Sequence, residues 1–359
     1  MRLLKRRASL CIISQTSKKI CIIFICLVLC LSLLIFQKEN SVGYADGRAE
    51  CVMELNSGKI LSSRNKDLIL PMASTTKIMT ALIIIEDCNL EEEMIVPFDA
   101  VGVEGSSIYL KKGELISVKD LLYGLMLRSG NDAATALAIH HSGNITAFAE
   151  KMNGRADIMG LKNTHFTNPS GLPDDAHYTT ASDLCKIACF AMKNTEFRKI
   201  VSTRNYTGKY RSFVNKNKIL NLVEGANGVK TGYTMKAGRC LVSSAERGGM
   251  NVICVVLNCP DMYERSAELL NQSFLRYEVK HIDSEKIFMC GEVPCKLLNN
   301  CQIVVEKDEE LTVVPVKTID SENISIGDFV GQLEIYCKNN LIFSEELYSI
   351  VNRNHFFEG

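Results

Sequence analysis

The sequence has no excess of basic residues, since its 359 residues include 41 Lys and Arg against 41 Asp and Glu. Seven of the basic residues and one acidic residue lie within residues 1–45. The remaining chain therefore has 34 basic and 40 acidic residues, a formal net charge of −6. A mildly acidic protein of this kind gives no indication of nucleic-acid binding. The chain also lacks internal repeats and low-complexity segments, and 47% of its residues are hydrophobic, so it can form a substantial core.

The sequence also lacks the pattern of a structural metal site, because it contains no Cys-x-x-Cys pair and no Cys and His array with zinc spacing. It has 15 cysteines, of which four lie within residues 1–45. Several of the other eleven lie inside apolar segments, where cysteine behaves as a small hydrophobic residue. We therefore expect mostly free thiols, with Cys290 and Cys295 as the one close pair to test for a disulfide.

The N-terminal segment indicates export. Residues 20–36 are 17 consecutive residues with Ser32 as the one polar position, and they follow Lys18-Lys19. A basic stretch, an apolar stretch and small residues ending at Ala45 predict a signal peptide cleaved after Ala45. The alternative is an uncleaved membrane anchor, because 17 residues reach the lower limit for spanning a bilayer. In either case the rest of the chain is expected outside the cytoplasm.

The rest of the chain is organised around Ser74 and Lys77, which lie three positions apart at the start of an apolar helix. Side chains at this spacing share one face of a helix. A lysine at a helix N-terminus, partly desolvated and near another cation, can lose its proton and then accept the proton of Ser74. Backbone N–H groups at a helix start are free to stabilise an oxyanion. The same spacing recurs at Ser63 and Lys66, which are predicted to lie in a solvated loop.

A second motif, Ser129-Gly130-Asn131, is predicted to lie at a corner between two helices. Such a corner can direct a hydroxyl and an amide into a cleft. Ser129 can then relay a proton, and the amide of Asn131 can hold a substrate carbonyl.

A third motif, Lys230-Thr231-Gly232, opens a predicted strand and is followed by Tyr233. An edge strand can bind an extended peptide by main-chain pairing. Lys230 and Thr231 can bind a carboxylate, and Gly232 allows a substrate backbone to approach closely.

The order of elements predicts an α+β fold. The main body, residues 46–280, has a hairpin near its start, a helical middle, and then strands and a closing helix. Strands from both ends of such a chain are expected to join one antiparallel sheet with helices on its faces. Residues 281–359 consist of short strand patterns with turn residues between them, which predict a small all-β domain.

Taken together, the three motifs resemble those of the penicillin-binding proteins and serine β-lactamases. The chain is most similar to the serine D-Ala-D-Ala carboxypeptidases, which are low-molecular-mass penicillin-binding proteins of peptidase family S11. The matching segments are residues 73–80, 105–107, 129–134, 168–173, 177–184 and 229–234. The resemblance covers residues 48–277 and implies a β-lactamase/transpeptidase-like domain, with an antiparallel sheet, helices on both of its faces and a helical subdomain. A small all-β C-terminal domain also fits the family.

The resemblance implies a catalytic mechanism. Ser74 would attack the carbonyl between the two terminal D-alanines of a peptidoglycan stem peptide, and Lys77 would be the base. The N–H groups of Ser74 and Tyr233 would form the oxyanion hole. Ser129 would pass a proton to the departing D-alanine, and water would then cleave the acyl-enzyme. No metal or organic cofactor is expected.

The resemblance also assigns the substrate-binding residues. Asn131 would hold the peptide, while Lys230 and Thr231 would bind its terminal carboxylate beside Gly232 and Tyr233. Lys230 would also lower the pKa of Lys77. β-Lactam antibiotics would enter the same site and acylate the nucleophile.

One further motif residue is given a structural role. His177 lies in a matching segment, and we expect it to fix the loop that follows Asn168 and to take no part in the chemistry.

Two alternative functions remain open. In a class A β-lactamase a glutamate activates the deacylating water. The resemblance would then require Glu-x-x-Leu-Asn between the second and third motifs, and Glu150, Glu196 and Glu224 do not fit this pattern. A non-catalytic, penicillin-binding cell-wall protein is disfavoured because all three motifs are intact. The expected location is the extracytoplasmic face of the bacterial membrane or the cell wall, with possible membrane association through the N-terminal segment.

Overall fold

A computed structural model describes residues 47–319 and 323–352, so the predicted leader, residues 1–45, lies outside the described part. The strands, in chain order, are β1 (Ala49–Glu54), β2 (Ile60–Arg64), β3 (Glu93–Ile95), β4 (Leu115–Ser117), β5 (Asn205–Thr207), β6 (Ser212–Val214), β7 (Ala226–Thr234), β8 (Gly238–Arg247), β9 (Met250–Leu257), β10 (Tyr277–Ile282), β11 (Phe288–Cys290), β12 (Val293–Lys296), β13 (Cys301–Glu306), β14 (Leu311–Lys317), β15 (Phe329–Cys337) and β16 (Asn340–Ser349). The α-helices are α1 (Lys77–Asp87), α2 (Val118–Tyr123), α3 (Asn131–Ser142), α4 (Ile145–Ile158), α5 (Ala181–Lys193), α6 (Thr195–Ser202), α7 (Ile219–Leu222) and α8 (Met262–Arg276). Among these helices, none is both long and apolar enough to cross a bilayer.

The central sheet is antiparallel and has the strand order β2-β1-β9-β8-β7. It joins the hairpin at the start of the body to the three strands that close it, as the sequence predicted. Strand β7 lies at one edge of the sheet, so the Lys-Thr-Gly motif is on an edge strand. This confirms the position on which the peptide-binding hypothesis depends.

Alternate side chains of β9 point to opposite faces of the sheet. Both faces are buried. Ile253 and Val255 belong to the larger hydrophobic core, whereas Val252 and Cys254 belong to the smaller one. Helix α5 packs against β1 and β9 on the first side, and α8 packs against β8 and β9 on the second. Helices therefore cover both faces, as predicted for the α+β fold.

The Ser129 corner follows a capped helix. Ser117 caps α2, and its hydroxyl accepts a hydrogen bond from the Asp120 backbone N–H. The helix continues through Gly124–Arg128 as a π-helical turn. It ends at Ser129, whose φ of 66° is left-handed, and α3 begins two residues later. The predicted corner between two helices is therefore present.

The C-terminal part is all-β, as predicted. Strand β10 begins directly after α8 and pairs with β13, while the remaining strands form an antiparallel sheet of order β11-β12-β16-β15-β14. Strands β15 and β16 are neighbours in this sheet and form a hairpin. The domain boundary placed near residue 280 remains a prediction.

The cysteines of the described part are all unbridged. Eleven free thiols are present there, and nine of them are buried. Cys290 and Cys295 lie on neighbouring strands of the β11–β12 hairpin without a disulfide between them. The expectation of mostly free thiols is therefore confirmed for residues 47–319 and 323–352.

Candidate active site

Ser74 lies in a single 3₁₀ turn, Ala73–Thr76, which we call the nucleophile turn. Helix α1 continues directly from it, starting at Lys77, and the helix is almost wholly buried. Ala73 adopts a left-handed φ of 48°, an uncommon conformation for a residue with a Cβ atom. Strained backbone of this kind is concentrated at functional sites. The predicted pairing of hydroxyl and amine at a helix start is present.

The amine of Lys77 is fully buried and has three oxygen neighbours. Its Nζ lies 3.0 Å from Ser74 Oγ, 2.7 Å from Asn131 Oδ1 and 2.5 Å from the Ser170 carbonyl oxygen. A neutral amine has two N–H donors and one lone pair. Two of the three neighbours are oxygens that can only accept, so they take both donors. The lone pair is then left facing the hydroxyl of Ser74, which is the arrangement of a general base.

Burial is the largest reason for the pKa of Lys77 to fall well below its usual value, because desolvation disfavours the charged amine. The positive charge of Lys216 lowers this pKa further, while the carboxylate of Asp132 raises it. The resemblance gave this role to Lys230, and Lys216 is a further cation that acts on the base. The pKa of Lys230 is itself lowered, first by burial and then by the charge of Lys77.

Lys230 and Ser129 form the second pair of the site. Lys230 Nζ donates to Ser129 Oγ at 3.0 Å and to the Thr231 carbonyl at 2.9 Å, and both Lys230 and Ser129 are almost wholly buried. The left-handed backbone of Ser129 turns its side chain toward β7. The corner motif therefore connects the two amines, because Asn131 contacts Lys77 and Ser129 contacts Lys230.

Asn131 is held by a loop that precedes it in sequence. Its side-chain Nδ2 donates to the Glu104 carbonyl at 2.6 Å, and its backbone N–H donates to the Ser106 carbonyl at 2.6 Å. A Cβ atom at Gly105, whose φ is 90°, would lie 2.7 Å from this Nδ2. The loop fixes the amide so that Oδ1 faces Lys77.

A second loop supplies the carbonyl of Ser170. The side-chain Oδ1 of Asn168 accepts hydrogen bonds from the backbone N–H groups of Ser170, Gly171 and Leu172, at 2.8 to 3.2 Å. The loop therefore folds around the side chain of Asn168, which is a common role of asparagine in tight turns. The wound loop directs the Ser170 carbonyl at the Lys77 amine.

Strand β7 packs tightly against the nucleophile turn. A Cβ atom at Gly232 would lie 3.1 Å from the Ser74 backbone nitrogen and 3.2 Å from the Met72 carbonyl oxygen. Glycine is therefore needed at position 232 for the strand to pack against the turn. This role is additional to the predicted one, in which Gly232 allows a substrate backbone to approach. Thr231 and Tyr233 border the resulting cleft, and Tyr233 is 65% exposed.

Five of the predicted residues line one cavity of about 340 Å³, whereas Lys77, Asn131 and Lys230 are buried behind its wall. The residues that line it are Ser74, Ser106, Ser129, Lys216, Thr231, Gly232, Tyr233, Met262 and Tyr263. None of these carries a carboxylate. A larger cavity, of about 590 Å³, lies beside the C-terminal end of α8 and contains none of the predicted site residues.

Sequence reasoning missed three contributors. Lys216 reaches the cavity from the segment after β6, and the flanking residues give no pattern that would reveal it. The carbonyl of Ser170 is a backbone group, which no residue pattern identifies directly. Asn168 was within a matching segment, and its position before Pro169 is a turn signal from which its loop-winding role could have been inferred.

Within residues 47–319 and 323–352, no group of three or more His, Cys, Asp or Glu side chains is arranged to hold a metal ion. The two amine–hydroxyl pairs described above, Lys77 with Ser74 and Lys230 with Ser129, lie beside the cavity.

The chain matches the model of the D-alanyl-D-alanine carboxypeptidase family, peptidase S11, over residues 37–261. It is 37% identical over 254 residues to the D-alanyl-D-alanine carboxypeptidase DacF of Bacillus subtilis (strain 168), covering 67% of this chain and 65% of that protein, slightly less than two thirds of the relative. It is 36% identical to the D-alanyl-D-alanine carboxypeptidase of Streptomyces sp. (strain K15), covering 62% of this chain and 85% of that one.

A solved structure extends the similarity to the C-terminal part. The crystal structure of penicillin binding protein 5 from Haemophilus influenzae has a TM-score of 0.74 and 28% sequence identity, and the match covers 86% of this chain and 97% of that one. The sequence match, the fold and the three converging motifs agree, and the chain belongs to the S11 family of D-alanyl-D-alanine carboxypeptidases.

Proposed function

We propose that this protein is a serine-type carboxypeptidase that removes the terminal D-alanine from peptidoglycan pentapeptide stems through an acyl-enzyme on Ser74. The observation that carries the proposal is the environment of Lys77. Both N–H donors of its neutral amine are taken by the Asn131 and Ser170 oxygens, and its lone pair faces Ser74 Oγ at 3.0 Å.

Lys77 accepts the Ser74 proton as Oγ attacks the carbonyl carbon of the scissile peptide bond. The oxyanion is stabilised by the N–H groups of Ser74 and Tyr233, which belong to the closely packed turn and strand. When the C–N bond breaks, Ser129 passes a proton to the leaving nitrogen and regains the proton that Lys77 took, so that Lys77 is neutral again and D-alanine departs as the free amino acid. Water then attacks the acyl-enzyme, which releases the shortened stem and restores Ser74.

Substrate binding uses the edge of β7. The extended stem peptide pairs with the strand, with Gly232 giving it room, while Asn131 holds the peptide. Lys230 and Thr231 bind the terminal carboxylate, and Tyr233 borders this part of the cleft. A β-lactam has a reactive carbonyl and a carboxylate in a similar arrangement, so it enters the same cleft and acylates the same hydroxyl.

The direct test is release of D-alanine from a synthetic stem pentapeptide, together with mass spectrometry of the protein after reaction with penicillin. The native protein should release D-alanine and carry one adduct on Ser74. Ser74→Ala should lose both activities. Ser63→Ala is a matched control, because it removes the exposed serine of the second Ser-x-x-Lys sequence and should change neither. An adduct on any other residue would contradict the proposal.

A β-lactamase is the alternative that the same experiment examines. No carboxylate lines the cavity, so no side chain there is equivalent to the glutamate of the class A enzymes. Rapid steady-state turnover of a chromogenic cephalosporin without D-alanine release would favour the β-lactamase instead.

The place of action is extracytoplasmic, because peptidoglycan is assembled and trimmed there. We propose that residues 1–45 direct export and that the body works on the outer face of the membrane or in the cell wall. N-terminal sequencing of the exported protein distinguishes a leader cleaved after Ala45 from a retained anchor.

A further inference from the structure

We propose that His177 is a positioning residue that holds the nucleophile turn in its reactive geometry through a hydrogen bond to Thr76. The proposal rests on the proposed function, because the turn carries the nucleophile of that reaction. His177 is 3% exposed and lies far from Thr76 in sequence, yet its Nε2 is 2.7 Å from Thr76 Oγ1.

The direction of this hydrogen bond follows from the other ring nitrogen. The backbone N–H of Thr167 donates to His177 Nδ1 at 3.0 Å, and a backbone N–H can only donate. Nδ1 is therefore unprotonated, and the proton of the neutral imidazole is on Nε2, from which it is donated to Thr76 Oγ1. Burial lowers the pKa of His177 to about 4, which keeps the ring neutral at ordinary pH. The ionisable groups around the ring are Asp174, His165 and Lys77.

Thr76 makes a second hydrogen bond, within the nucleophile turn. Thr76 Oγ1, having accepted from His177, donates its own proton to the Ala73 carbonyl at 2.9 Å. All the bonds run in one direction, from Thr167 through His177 and Thr76 to Ala73. Hydrogen bonds arranged in such a chain strengthen one another in a buried site.

The hydrogen bond from Thr76 to Ala73 joins the residues that directly precede the base and the nucleophile. Ala73 precedes Ser74 and has the left-handed φ of 48°, and Thr76 precedes Lys77. Backbone in a sparsely populated conformation persists when its surroundings hold it there. The hydrogen bonds of Thr76 hold the turn and join it to the segment that carries Asn168, whose loop supplies the carbonyl for the lysine amine.

His177 acts through this contact and not on the substrate. It does not line the cavity that contains Ser74. Both of its ring nitrogens are engaged, and the ring packs edge-on against Phe166 at 5.7 Å between centroids. The expected role in fixing the loop after Asn168 accounts for the Nδ1 contact, whereas the Nε2 contact is additional and reaches the nucleophile turn.

Two substitutions separate these contacts. The amide nitrogen of glutamine can occupy the position of Nε2, so His177→Gln keeps a donor to Thr76 and loses the acceptor for Thr167. The amide oxygen of asparagine can occupy the position of Nδ1, so His177→Asn keeps the loop contact and loses the donor to Thr76. A purely structural role would make the two variants comparable, or would make the asparagine variant the milder one.

The measurements are the second-order rate of acylation by a fluorescent penicillin, kcat and KM for pentapeptide hydrolysis, and the melting temperature. We expect His177→Asn to slow acylation about 10- to 100-fold, the range for a misplaced catalytic group, with kcat falling and KM nearly unchanged. His177→Gln should stay within about threefold of the native rate. Thr76→Val should match the asparagine variant and Thr76→Ser the native protein. The double variant His177→Asn/Thr76→Val should be no slower than either single variant, because both remove the same bond.

Native-like acylation by a folded His177→Asn variant would overturn the proposal, and so would additive losses in the double variant. Losses that follow melting temperature across all the variants would also overturn it. Failure of the proposed function appears differently, because the native protein itself would then neither be acylated nor release D-alanine.

Discussion

Asp132 is expected to be the most sensitive carboxylate of the site to loss of charge, although it contacts no substrate. It is 1% exposed and is surrounded by donors. Its Oδ2 accepts from Ser107 Oγ at 2.6 Å and from the Leu110 backbone N–H at 3.1 Å, and its Oδ1 accepts from its neighbour Ala133 at 2.9 Å. The Ile108 N–H is shared between the two oxygens, at 3.0 and 3.1 Å.

Asp132→Asn replaces one of these oxygens with an NH₂ group, which cannot accept. If the NH₂ takes the place of Oδ2, the N–H of Leu110 loses its partner. If the NH₂ takes the place of Oδ1, the N–H of Ala133 loses its partner. A buried donor left without a partner costs about 1–3 kcal/mol, and the bonds that remain lose the strengthening of a charged acceptor, about 1 kcal/mol more. The free energy of unfolding should therefore fall by about 2–4 kcal/mol, which lowers the melting temperature by about 5–15 °C.

The same substitution should also affect the chemistry. Asp132 holds the loop whose carbonyls fix Asn131, and the Asn131 amide in turn accepts from Lys77. We expect penicillin acylation to slow at a temperature where the variant is still folded. Thermal unfolding followed by circular dichroism and acylation by fluorescent penicillin are the two assays.

A matched control is Asp157→Asn on the exposed face of α4, where surface substitutions change stability by at most about 0.5 kcal/mol. If Asp132→Asn melts within about 2 °C of the native protein, the account of this carboxylate as the anchor of the loop is wrong.

Three further predictions concern charge, space and thiols. Lys216→Gln removes a charge that lowers the pKa of Lys77, so this pKa should rise. The neutral base should then form only at higher pH, and the acid limb of the pH profile of the acylation rate should move to higher pH. Lys218→Gln is the neighbouring control, and coincident pH profiles for the two variants would contradict the reasoning. Gly171→Ala should fold poorly, because its Cβ would lie 1.9 Å from a carbonyl oxygen of the nucleophile turn, whereas Gly143→Ala, with a similar positive φ but open space around it, should cost only the left-handed strain of about 1–2 kcal/mol. If both glycine variants lose the same stability, close packing is not the cause. Protein beginning at residue 46, unfolded without reductant, should titrate eleven thiols, and a count of nine would indicate one disulfide.

The fold could be predicted well where local pattern and tertiary packing agree. The sequence indicated β9 as Met250–Leu257, and the structure gives the same limits, because this strand is apolar on both faces and bounded by turn residues. The pattern of residues 261–277 predicts the closing helix, and the structure has it at Met262–Arg276. Short elements were missed, including helix α6 and the β5–β6 hairpin, because three-residue strands and an eight-residue helix contain too few periods to stand out from loops.

The candidate site was predictable in its side chains but not in its supports. Ser74 with Lys77, Ser129 with Lys230, and Asn131 come together as predicted, because the three motifs occur in one chain in the order typical of the family. The contribution of Lys216 to the pKa of the base could not be predicted, because it depends on the distance between elements far apart in sequence.

The Ser170 carbonyl illustrates why a sequence identifies the donors of a site more readily than its acceptors. Every residue has a carbonyl, so residue identity at position 170 does not determine whether one faces Lys77. The information is instead in the neighbours that shape the loop, since Asn168 accepts from three successive N–H groups and Gly171 adopts a φ of 83° against the nucleophile turn. Without that carbonyl, only Asn131 would accept a hydrogen bond from the amine, and the second N–H would compete with the lone pair for the hydroxyl of Ser74. The orientation of the base therefore depends on a loop that contributes no side chain to the reaction.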